Sequence, residues 1–119
     1  MTDREMTPER LYDILDKYAR SRGMELNADR EFVIEIAAGL LKNQERYGYR
    51  SCPCRLAAGI IDRDRDIICP CVYMPPDVEE YGSCYCHLYV SREWNEGKAP
   101  HVKVPERRPE EGPERAKRR

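Results

Sequence analysis

Apolar residues recur at helical spacing through the first half of the chain. Thr7 followed by Pro8 has the form of an N-cap with proline at the first helical position, and Leu11, Ile14, Leu15 and Tyr18 then fall on one face. Gly23 marks the stop. Asn27 is placed to cap a second helix, with Phe32, Val33, Ile36, Ala37, Leu40 and Leu41 on its apolar face and its end near Gly48. Both read as core-forming amphipathic helices with solvated charged faces.

Beyond Gly48 the periodicity breaks into short pieces. Arg55 to Ile61 permits a short helix, and the alternating charges of Asp62-Arg63-Asp64-Arg65-Asp66 read as a solvated turn. Pro75 and Pro76 read as the start of a loop, and Asp77 to Tyr81 as one helical turn stopped by Gly82. Leu88, Tyr89 and Val90 are apolar, and Ser91 is placed to cap a last short helix through Trp94. No alternating run is long enough to argue for a strand. The expected architecture is therefore all-α: one small domain of about five helices with long loops.

Composition narrows the class. The chain has 119 residues, 40% hydrophobic and 36% charged, which leaves room for one modest core and makes a bound cofactor useful to the fold. No apolar run reaches 18 residues, so no membrane span is expected. The charged N-terminus MTDREMTPER lacks an apolar signal region, which places the protein in the cytoplasm. The net charge of −1 hides an asymmetry: from Lys98 onward eight Lys/Arg stand against four Glu, a net of +4 that leaves −5 for residues 1–97. Pro105, Pro109, Gly112 and Pro113 suit a flexible tail over 98–119, and no aromatic residue is interleaved with its basic ones as a nucleic-acid platform requires. Residues 1–97 are expected to form the domain, with no nucleic-acid partner.

All six cysteines fall within Cys52 to Cys86, as Cys52-Pro53-Cys54, Cys69-Pro70-Cys71 and Cys84-Tyr85-Cys86. A reducing compartment favours metal-binding or catalytic cysteines over a disulfide framework. Thiolates suit zinc, copper(I) and iron–sulfur clusters. A four-iron cluster or a structural zinc takes four of the six and leaves two beside the ligands. In an extended segment residues i and i+2 project to one side, so one sulfur of a pair can bind while the other waits next to the site. Zinc sites more often use Cys-x₂₋₄-Cys, which fits three one-residue spacings poorly. A disulfide within one pair would close a strained ring, so a useful one joins different pairs.

The segments CPCRLA, IICPCVY and YGSCYCHLYV resemble the catalytic subunit of ferredoxin–thioredoxin reductase, in its prokaryotic disulfide-reductase branch. The likeness spans about residues 50 to 92, with two helices ahead of it as in that family. It implies a [4Fe-4S] cluster enclosed by the long loops and ligated by Cys52, Cys69, Cys71 and Cys84, beside a redox-active disulfide between Cys54 and Cys86. It further implies ferredoxin as electron donor and thioredoxin or a similar protein as acceptor. Cys54 would be the nucleophile on the target disulfide and Cys86 the resolving thiol. A small variable subunit accompanies the plant-type enzymes and is a further expected partner.

Two departures stand out. The second gap is longer than in plant-type members, with Pro75 to Glu80 reading as a loop insertion. Tyr85 occupies the place where those members carry a proton-donating histidine, and His87 is the candidate replacement. Arg55 is open between lowering the Cys54 pKa and a plain surface position. Tyr73, Tyr81, Tyr85 and Tyr89 read as cover for the cluster or as hydrogen-bond donors to sulfur. His101 has no role. The readings that compete are a simple one-electron iron–sulfur carrier, which needs no spare cysteines, and a zinc-stabilised interaction module.

Overall fold

The computed structural model describes residues 6–108. Helix α1 (Pro8–Ser21) starts where the Thr7 side chain accepts a hydrogen bond from the Arg10 amide, and it buries Leu11, Leu15 and Ala19. Ile14, expected on that face, is 46% exposed. Helix α2 (Arg30–Tyr47) buries Val33, Ala37 and Leu40 against α1 and ends at Gly48, whose φ of 88° is one that glycine adopts without strain. Its cap is Asp29, which accepts from the Phe32 amide, and not Asn27. Asn27 is used elsewhere: its side chain accepts from the Asp29 amide and donates to the His87 carbonyl, tying the start of α2 to the third cysteine pair.

The all-α expectation needs one amendment. Glu25–Leu26 (β1) pairs antiparallel with Tyr89–Val90 (β2), with Glu25 opposite Val90 and Leu26 opposite Tyr89. Two residues per strand leave no alternation to detect. The small sheet matters because it carries the third cysteine pair onto the α1–α2 core.

Among the described residues three shorter α-helices follow α2. Of the stretch Arg55 to Ile61 only its last residue is helical, as the start of α3 (Ile61–Asp64), which a 3₁₀ turn (Arg65–Ile67) follows. The acidic run is consequently not a solvated turn. Asp64 is fully buried and accepts from the amides of Ala58 and Gly59 at 3.0 Å each, and from the Tyr49 hydroxyl. Burial alone pushes that carboxyl up, but these three donors hold it below its ordinary value. A depressed folded pKa contributes stability that is present above the ordinary pKa near 3.9 and is lost as pH falls through the lower folded value. Asp64→Ala should therefore cost about 3 kcal/mol in urea unfolding at pH 7, with the gap from wild type closing below about pH 4.

Helix α4 (Met74–Tyr81) replaces the expected loop at Pro75-Pro76: both prolines sit in its first turn, where no amide hydrogen bond is lost. Gly82 ends it at φ 81°. Helix α5 (Arg92–Asn95) is capped by Ser91 as read from the sequence. Residues 98–108, the described part of the expected tail, run back over the domain. Val104 is 2% exposed, Arg107 pairs with the buried Asp77 at 2.8 Å, and Arg108 pairs with the buried Asp66 at 2.7 Å. Residues 109–119 lie outside the described ones. Among the described residues no helix is long and apolar enough to cross a membrane.

Candidate functional site

Backbone pairing brings the three cysteine pairs together. Ser51 and Ile68 form an antiparallel bridge, the Cys52 amide donates to the Ile67 carbonyl, and the Cys69 amide donates to the Arg50 carbonyl. The first two pairs thus lie side by side. The third pair folds back on β2: Ser83 bridges to Val90, and the Cys84 amide donates to the Tyr89 carbonyl. Pro53 packs on α2 at Gly39, where an added Cβ would lie 3.0 Å from the proline Cβ. The absent side chain of Gly39 is what lets the first pair approach the helix. The Cys69–Pro70 peptide is cis.

Five cysteines line one small cavity: Cys52, Cys69, Cys71, Cys84 and Cys86, closed by Ile36, Pro53, Met74, Leu88, Tyr85 and Tyr89, with Arg55 on its wall. Cys54 is not among the lining residues and is exposed, whereas Cys52, Cys84 and Cys86 are buried. The Cys52 and Cys86 sulfurs are 2.7 Å apart, and those of Cys52, Cys54 and Cys86 all lie within 4.8 Å of one another, close enough to share a metal ion. The four predicted ligands therefore share the cavity, while the tightest sulfur group joins one of them, Cys52, to the predicted redox pair.

The electrostatics separate the exposed sulfur from the enclosed ones. Hydrogen bonds from Cys52 and Cys86 hold the Cys54 thiol down to about 4. The same interactions, seen from the other side, push Cys52 and Cys86 up. Burial pushes Cys69 and Cys71 up, and raises Cys84 to about 11. Buried thiols of this kind give up their protons to a bound cation, since coordination deprotonates a thiol outright.

Polar groups aim at the sulfurs. The Tyr89 amide donates to the Cys84 Sγ at 3.4 Å. Tyr89 itself is 1% exposed, and its hydroxyl has no hydrogen-bond partner at ordinary distance among the described residues. Arg55 is buried, with its guanidinium 3.5 Å from the Cys71 Sγ, so the surface position allowed by the sequence is not the one it takes. Sequence reasoning undervalued this residue because its carboxylate partner, Glu106, is 51 positions away.

His87 stands apart. Its φ of 60° is positive, its Nδ1 lies 2.8 Å from the Ser83 Oγ, and its ring stacks at 5.7 Å on Trp94, which stacks in turn on His101 at 3.7 Å. It does not line the cysteine cavity. Of the four tyrosines singled out, Tyr85 and Tyr89 line it, and Tyr73 packs nearby, donating to Asp66.

Comparison with known protein families returns a match over residues 2–108 to the family described as ferredoxin thioredoxin reductase catalytic beta chain. No curated protein matches the chain.

Proposed function

Because the chain belongs to the ferredoxin thioredoxin reductase catalytic beta chain family, we propose that it is an iron–sulfur disulfide reductase that takes electrons from ferredoxin and delivers them to the disulfide of thioredoxin or a similar protein. The observation that carries this reading is the partition of the cysteines: five around one cavity and one, Cys54, exposed beside them. The donor set suits a [4Fe-4S] cluster held by Cys52, Cys69, Cys71 and Cys84. The buried hydroxyl of Tyr89, whose neighbour is the Cys69 sulfur, fits the same group, because sulfur ligands accept such hydrogen bonds. When bound, the cluster supplies electrons one at a time.

The remaining chemistry belongs to the side chains. Cys54, exposed and held as thiolate, attacks one sulfur of the target disulfide; that S–S bond breaks as the mixed disulfide forms. Cys86, within 4.8 Å of Cys54, then attacks the Cys54 sulfur. The Cys54–Cys86 disulfide forms, the target leaves as a dithiol with two protons, and two electrons from the donor restore the pair. Proton supply is assigned to solvent, which reaches Cys54 directly, since the His87 ring is held by Ser83 and Trp94. Cys86→Ser removes the resolving thiol, so incubation with an oxidised thioredoxin should trap a stable mixed disulfide on Cys54, seen as a mass adduct that dithiothreitol releases. Failure of the adduct to form on Cys54 would count against the assignment.

Target docking also has a surface to use. Leu56, two residues beyond Cys54, is 92% exposed. Leu56→Asp should raise the KM for a protein target by about tenfold, the scale of one interface contact, while reduction of a small aromatic disulfide stays unchanged.

A second reading has a specific observation behind it. The three sulfurs of Cys52, Cys54 and Cys86 form a ready thiolate site for a single ion such as zinc. It predicts zinc in place of iron and no reducible pair.

A further inference from the structure

The basic C-terminal segment and Arg55 are left unused by the chemistry above, and they meet at one ion pair. Arg55 has a side chain only 2% exposed, so its charge must be met inside the protein. One edge of the guanidinium is taken by Glu106 in a two-point fork, Nε to Oε2 and Nη2 to Oε1, both at 2.7 Å. That fork fixes the plane of the group and turns Nη1 to the sulfurs, 3.5 Å from Cys71 and 3.9 Å from Cys52. The rings of Tyr85 at 4.5 Å and Tyr73 at 5.3 Å hold the guanidinium against the cavity.

We propose that Arg55, aimed by Glu106, is a positioning residue that donates a charge-assisted hydrogen bond to the Cys71 thiolate and sets the reduction potential of the centre. The inference rests on the iron–sulfur reading of the cavity. A donor at a ligand sulfur withdraws electron density from the metal, and a fixed positive charge favours the more reduced state; both raise the potential. Glu106 lies on the segment that Val104, Arg107 and Arg108 anchor to the domain, so attachment of this segment and the electronic setting of the sulfurs are coupled through one carboxylate.

The test uses the full-length protein, isolated without oxygen, as wild type, Arg55→Gln, Arg55→Lys, Glu106→Ala and Arg107→Gln. Iron and sulfide content, midpoint potential and the iron–thiolate stretching bands in resonance Raman are measured on each. Arg55→Gln should lower the one-electron midpoint by about 59 mV, a tenfold change in the reduction equilibrium, and move a stretching band to higher wavenumber as the sulfur regains donor strength. Arg55→Lys should recover part of the potential without restoring the band. Glu106→Ala should move the band in the same sense as Arg55→Gln, which keeps the test decisive even where Arg55→Gln does not retain the cluster. Arg107→Gln loosens the same segment without touching the fork and should leave band and potential as in wild type. An unchanged band in the Arg55 and Glu106 variants, or an equal shift in Arg107→Gln, would overturn the proposal. Wild type without iron would instead overturn the iron–sulfur reading, and this inference with it.

Discussion

Cys54→Ser is expected to lower disulfide reductase turnover by at least about 10³-fold while leaving iron content and thermal midpoint near wild type. The reason is location. Cys54 is the cysteine that the cavity does not include, so its loss removes the nucleophile and leaves the five enclosed sulfurs where they are. Its acidity sharpens the expectation. With Cys52 bound to metal, the Cys86 thiol and the Arg55 charge still hold Cys54 below its ordinary value, whereas an ordinary thiol near 8.5 is ionised only about one part in 10³ at pH 5.5. Reduced protein should therefore lose much less iodoacetamide reactivity at Cys54 between pH 7 and pH 5.5 than an ordinary thiol does, and Cys54→Ser should lose that phase. A rate that climbs steeply between pH 7 and 9 would show an ordinary thiol and remove Cys54 from the nucleophile's role.

The second large effect is on folding. Cys84→Ala should abolish iron incorporation and destabilise the domain by about 5 kcal/mol or more, because metal bound by a site that exists only in the folded chain contributes its binding energy to folding. Cys84 is buried, accepts from the Tyr89 amide, and stands where the third pair joins the β1–β2 sheet, so its loss detaches the cavity from the α1–α2 core. Circular dichroism melting with parallel iron analysis checks it. A variant that keeps its iron and its midpoint would mean that Cys84 holds no metal. Cys54→Ser and Cys84→Ala thus separate the two parts of the account: one loses turnover with its metal intact, the other loses metal and fold together.

The elements legible in the sequence are those whose signals are local. Thr7-Pro8 announced α1, the spacing from Val33 to Leu40 announced α2, and Ser91 announced α5, because a cap or a face is written within one or two turns. The Cys-x-Cys pairs likewise carried the family likeness by themselves. Pro75-Pro76 misled only through the habit of reading proline as a breaker; in the first turn of α4 it costs no hydrogen bond. What stayed illegible depends on distant partners. Glu25–Leu26 is a strand because Tyr89–Val90 lies beside it. Asp64 and Asp66 look like solvated charges until Tyr49 and Arg108 are seen to satisfy them. Arg55 stays open between a charge beside Cys54 and a surface position until Glu106 arrives from the C-terminal segment. Buried charge is set by tertiary pairing, and no window of sequence contains both partners.

The most direct test of the central claim, that six cysteines divide into a cluster and a reducible pair, is iron, sulfide and zinc content measured on anaerobically purified protein together with mass-spectrometric mapping of alkylated thiols before and after reduction. The account predicts about four irons and matching sulfide per chain, no zinc, and Cys54 and Cys86 labelled only after reduction. Zinc in place of iron, or Cys54 and Cys86 both alkylated before any reductant is added, would contradict it.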